Sequence, residues 1–164
     1  IYVEIFRAVP VLTQLFVIYF GLGSIGIKLD PIPAAIIGFG LNGGAYLTEV
    51  FRAGIAAIDR GQSEAAIAIG MTRGMALRTI ILPQTVRVVL PPIANFAIGL
   101  LKDTSLASAV AAPELSFQAH MLADRTFLTT QIYLLVALFY LAMSVPLSWL
   151  SRRLERRASR GVRA

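Results

Sequence analysis

The sequence has no cysteine, one histidine and few charges, and each shortage removes a class of function. Without a thiol there is no disulfide and no thiolate metal site, and His120 alone cannot hold a zinc ion. No metal site, cofactor or catalytic group is therefore expected, and His120 reads as a polar loop residue. Charged residues make up only 15% against 57% hydrophobic, with a mean hydropathy of +0.73. That balance is too apolar for an ordinary soluble domain and points to a lipid bilayer as the solvent. A GxxxxGK[ST] phosphate loop is also missing, so ATP hydrolysis is not expected of this chain. An initiating methionine is missing too, and the opening on Ile1 reads as a piece whose upstream part, a leading transmembrane helix, lies elsewhere.

The net charge of +6 and isoelectric point near 10.3 could suggest nucleic acid, but the cations are gathered in two places. Arg152, Arg153, Arg156, Arg157, Arg160 and Arg163 form a tail after the last apolar run, while Arg52, Arg60, Arg73, Arg78 and Arg87 surround a central polar stretch. Both places fall on the same side of a membrane by counting spans, as the positive-inside rule expects of cytoplasm.

Apolar runs occupy Val9–Gly26, Ile32–Phe51, Val88–Leu101 and Phe127–Leu150, the last without a charge and with Trp149 at its inner interface. Tyr2–Arg7 is an amphipathic approach to the first run, and Pro10 suits that helix's first turn. The segment Gly21-Leu22-Gly23-Ser24-Ile25-Gly26 matches the dinucleotide pattern GxGxxG, but no strand precedes it, so it reads as a loop at the outer surface. Gly40 and Gly44 have the GxxxG spacing that lets helices approach closely in lipid. Pro91-Pro92 are expected to break or kink the third run, and Pro113-Glu114-Leu115 opens an outer segment that extends to Arg125.

Polar residues inside these runs are the candidates for a permeation path, because hydrocarbon penalises them. Asn42, Tyr46 and Glu49 fall on one helical face, and Asn95, Gly99 and Lys102 repeat the spacing, with Asp103, Thr104 and Ser105 adjacent. The two faces are expected to line a shared interior. Alternatives stay open: Glu49 can pair with Arg52, and Lys102 with Asp103, as structural ion pairs.

Between the second and third runs lies Gln62–Pro92, where Glu64-Ala65-Ala66, Gly70, Ile80, Leu82 and Pro83 stand at the spacing EAA, three residues, G, nine residues, I, one residue, LP. Ser63 is placed to cap a short helix beginning at Glu64, with small alanines and glycines giving a narrow surface. Met71 and Met75 add adaptable apolar contact, and Leu82-Pro83 is expected to stop the segment before the membrane.

This spacing resembles the cytoplasmic coupling loop of ABC-importer permeases. The resemblance narrows to the polar amino-acid permeases (histidine, glutamine, arginine and opine type) through Tyr2-Val3-Glu4-Ile5-Phe6-Arg7 with Pro10, Leu41-Asn42-Gly43-Gly44-Ala45-Tyr46 with Glu49 and Arg52, Leu101-Lys102-Asp103-Thr104-Ser105-Leu106, and Pro113-Glu114-Leu115. Ala8-Val9 and Ala53 depart from the family pattern, outside the loop.

The resemblance implies an all-α polytopic membrane protein, residues 1–164 forming one permease transmembrane domain, with a coupling loop at about 62–83. It also implies alternating access, separate ABC ATPase subunits, a second permease subunit (identical or homologous), an extracytoplasmic amino-acid-binding protein and a bacterial cytoplasmic membrane. An ion-gradient-driven secondary transporter or channel is the alternative reading of the midplane charges.

Overall fold

The computed structural model describes residues 1–159, and all the regular elements among them are helical. They are α1 (Tyr2–Ala8), α2 (Val11–Ser24), α3 (Pro31–Ala56), α4 (Arg60–Ala68), α5 (Arg73–Val110), α6 (Leu115–Thr126) and α7 (Thr129–Ser159). Arg160 and Arg163 of the expected basic tail lie outside the described residues, as do the side chains of Arg156 and Arg157.

Helix α5 and the Thr129–Arg153 stretch of α7 are long and apolar enough to cross a membrane, and α1 with α2 would form a third, bent span. The 26 residues of α3 suffice in length at about 1.5 Å each. Asn42, Glu49 and its glycines dilute the apolarity of α3, which is therefore not among those spans.

Packing divides the chain into two units. The first comprises residues 1–46 and 97–148. In it α1 and α2 meet at 105°, and Pro10 is the cause. Proline has no N–H for the carbonyl four residues back, that of Phe6, so the chain turns there. Two side-chain amides replace the lost donor: Gln14 Nε2 donates to Phe6 O at 2.8 Å and Val9 O at 2.7 Å, and Asn42 Nδ2 donates to Phe6 O at 2.8 Å. The Tyr2 hydroxyl also ties α1 to α3, donating to Leu41 O at 2.7 Å. Leu15 centres the apolar core of this unit with Ala35, Ala107, Val110 and Ala112.

In the same unit α6 folds back on α7, Ala119 and Ala123 packing against Ile132 and Val136. Glu114 caps α6, its carboxylate accepting from the N–H groups of Ser116 (2.8 Å) and Phe117 (2.7 Å), and the Tyr140 hydroxyl donates to it at 3.3 Å. Tyr140 stands near the middle of Thr129–Arg153. The expected outer segment is thus a helix packed on α7 through Ala119 and Ala123, small residues one turn apart.

The second unit comprises residues 47–96 and, among the described residues, 149–159. Here Gly54 lets α3 lie against α5: a Cβ at this position would sit 2.2 Å from Val89 Cγ1 and 3.3 Å from Thr85 Cγ2. Both Thr85 and Val89 are buried.

Helix α5 does not stop at Leu82-Pro83 as expected. A π-helical turn over Leu77–Ile81 immediately precedes Pro83 and widens the backbone where the ring would crowd the Thr79 carbonyl. Nor does the helix break at Pro91-Pro92, which lie inside a continuous α-helical stretch beside the packed Val89. It tightens into a 3₁₀ turn only at Thr104–Val110.

Candidate functional site

The element that carries the EAA spacing is a helix–turn–helix in the second unit. Asp59, not Ser63, caps α4, its carboxylate accepting from the Gly61 N–H at 2.7 Å. The signal was present as Asp59 followed three residues later by Gln62, the pattern of a capping box. Helix α4 therefore begins four residues before Glu64.

Its other end explains the spacing between EAA and glycine. Gly70 adopts φ +86°, the Met71 N–H donates to Ala66 O at 3.0 Å and the Gly70 N–H to Ile67 O at 2.9 Å. This is a Schellman ending, in which the residue after the cap must reach left-handed space. Thr72 then caps α5, Thr72 Oγ1 accepting from the Met75 N–H at 3.3 Å. Ala66, Ala76 and Ile81 are buried beneath the turn, and Gln84 Nε2 donates to Ile80 O at 3.0 Å and reaches Gln62 Oε1 at 3.4 Å. Two well-formed helix ends and a small buried core make the turn stiff.

Its outer surface is apolar. Ile69 is 78% exposed, and Ile67 and Met75 are about half exposed. The two isoleucines were not singled out in the sequence. A cleft of about 610 Å³ opens beside them, lined by Ile55, Ile58, Arg60, Glu64, Arg73 and Leu77, among others. Of the remaining motif residues, Ala65, Leu82 and Pro83 are exposed and Ile80 is half-buried. The arrangement offers a partner a stiff apolar knob with a carboxylate and two guanidinium groups at its edge.

The match to known proteins covers the same ground. Residues 1–160 match the family described as binding-protein-dependent transport system inner membrane component. The chain belongs to this family.

Two Bacillus subtilis relatives are a probable glutamine ABC transporter permease protein, 39% identical over 94% of this chain and 74% of its own, and an L-cystine transport system permease protein, 41% identical over 99% and 70%. A probable amino-acid ABC transporter permease protein of the same organism is 42% identical over 87% of this chain, which spans 63% of that relative's length. A solved amino acid ABC transporter crystallised with histidines has a TM-score of 0.91 at 36% identity, covering 95% of this chain and 73% of the other. The permease is a transport subunit of the bacterial cytoplasmic membrane rather than an enzyme.

The candidate path residues are placed individually. Asn42 spends an amide N–H on the bend between α1 and α2, and half-exposed Tyr46 lies one turn further on. Glu49 Oε1 accepts from Arg52 Nη2 at 2.8 Å, the ion pair that the sequence spacing allowed. Asn95 is exposed. Lys102 and Asp103 are exposed, and no ion pair between them is found among the described residues, since neighbours on a helix do not face each other. The Ser105 hydroxyl donates to Lys102 O at 2.7 Å, helping the change from α to 3₁₀ geometry. Gly44 is closed within the chain by the Tyr2 hydroxyl, which a Cβ there would meet at 2.8 Å, whereas nothing lies within 4 Å of the corresponding position at Gly40.

Proposed function

We propose that this permease carries polar amino acids in an ATP-driven importer, and that the α4 turn receives the motion of a separate ATPase. The observation that carries the reading is the exposed apolar knob on a stiff base. A contiguous patch of large apolar side chains left exposed outside the bilayer marks an interaction surface. A turn closed by a Schellman ending and a threonine cap transfers displacement into α5 instead of absorbing it.

The names of the relatives support the substrate class, and the coupling residues are Glu64, Ala65, Ala66, Gly70, Ile80, Leu82 and Pro83. ATPase subunits, a second permease subunit and an extracytoplasmic binding protein complete the assembly. Tyr46, Glu49, Asn95, Lys102, Asp103 and Ser105 contribute to the path, with Asn42 fixing the bend at its side. ATP must bind one of two helix packings better than the other for transport to be driven.

Reconstituted vesicles test this reading. Uptake of a polar amino acid should require ATP inside the compartment that α4 faces. Gly70→Trp should abolish co-purification with the ATPase while leaving membrane insertion intact. Uptake driven by an ion gradient without ATP, or normal ATPase capture by the Trp variant, would reject it.

A further inference from the structure

The turn between α6 and α7 carries a feature that transport coupling does not use. Phe127 is 90% exposed and has φ 59°, a left-handed conformation that residues with a Cβ adopt at a cost and that glycine or asparagine would fill more easily. Inside the chain its ring contributes nothing to offset that cost. Its backbone does the capping: the Phe127 N–H donates to Ala123 O at 2.8 Å, which any residue but proline could do.

We propose that Phe127, with the half-exposed Leu128 beside it, is an interfacial anchor that inserts into the lipid headgroup layer at the outer end of α7. Two observations favour lipid over a protein partner. The first is continuity: Leu134, Leu135, Leu138, Phe139 and Leu141 on α7 are all more than half exposed, so the turn leads, through the polar Thr129, Thr130 and Gln131, into the apolar face of a membrane-crossing helix. The second is the far end of that helix, where Trp149 is exposed and the Arg153 guanidinium lies 3.5 Å from its ring centroid, an aromatic and a cation together as at a membrane boundary. Phe127 thus fixes the depth of the α7 N-terminus, while Asp124 and Arg125 stay on the water side of the turn.

Fluorescence depth measurements on the full chain in phosphatidylcholine vesicles test this, because Trp149 is the only tryptophan. In Trp149→Phe with Phe127→Trp, the new indole should emit to the blue of aqueous tryptophan. Lipids brominated near the headgroup should quench it more strongly than lipids brominated deep in the acyl chains. Emission at the aqueous wavelength with no quenching by either lipid would overturn the anchor and leave a protein partner as the occupant. If this pair of substitutions prevents insertion, Phe127→Cys in the otherwise cysteine-free chain, labelled with a polarity-sensitive dye, reads the same depth. A water-like signal from the dye in vesicles would overturn the proposal equally.

Discussion

At the scale of single residues, two glycines do different work, and substitutions separate them. Gly70 is needed for its backbone: nothing lies within 4 Å of where its Cβ would be, yet φ is +86°. Gly70→Ala should therefore cost about 1–2 kcal/mol through left-handed strain alone. The expected result is faster amide exchange at Gly70 and Met71 with little change in the rest of the chain. Gly54 is needed for its size. Gly54→Ala puts a methyl group 2.2 Å from Val89 Cγ1, and overpacking of this kind costs about 1–3 kcal/mol. Val89→Ala on the Gly54→Ala background should recover part of that loss in detergent unfolding. A double variant no more stable than Gly54→Ala alone would show that the Val89 contact is not what limits the position.

At the scale of elements, the sequence showed where helices lie better than how they end or bend. The EAA spacing marked the turn between α4 and α5 because capping and left-handed glycine chemistry are local and leave fixed intervals. Its cap was misplaced at Ser63 because Asp59 and Ser63 are both competent acceptors, and only the fold of Gly61 onto Asp59 decides. The passage of α5 through Pro83 was not legible, since a proline ordinarily ends a helix and the π-helical turn over Leu77–Ile81 that makes room for its ring carries no motif of its own. Nor was the role of Asn42, whose partner carbonyl lies 36 residues away at Phe6. That role makes an ordering testable. Gln14→Ala leaves Val9 O without its side-chain donor and Phe6 O with one in place of two, and should cost about 1–3 kcal/mol. Asn42→Ala removes one of two donors to Phe6 and should cost less, about 1 kcal/mol. A larger loss of thermal stability for Asn42→Ala, or loss of transport without any loss of stability, would assign the amide to the path instead of the bend.

At the scale of the whole molecule, the charges decide which way the chain faces and whether its path is charged. Arg60, Arg73 and Arg78 flank the proposed coupling turn, and Arg152 and Arg153 close the last span, so the positive-inside rule assigns both places to the cytoplasmic side. A single cysteine at Gln62, added to a chain that has none, should then react only with reagents that cross the membrane. One at Arg125 should react with impermeant reagent from outside. Lys102 and Asp103 pose the sharper question. They are exposed within the chain, unpaired with each other and within a membrane-crossing helix, where an uncompensated charge is expensive. Compensation by the ammonium and carboxylate of a zwitterionic substrate makes a specific forecast. Lys102→Met and Asp103→Asn should each assemble with the ATPase and retain its basal hydrolysis, yet raise the substrate concentration needed for half-maximal uptake. The double variant should be the worst transporter of the three, because each substitution removes a contact to a different end of the same molecule. If the double variant transports like the parent, the pair has no role in the path. If the single variants fail to assemble while the double assembles, the charges compensate each other in the complete transporter, and the zwitterion account falls.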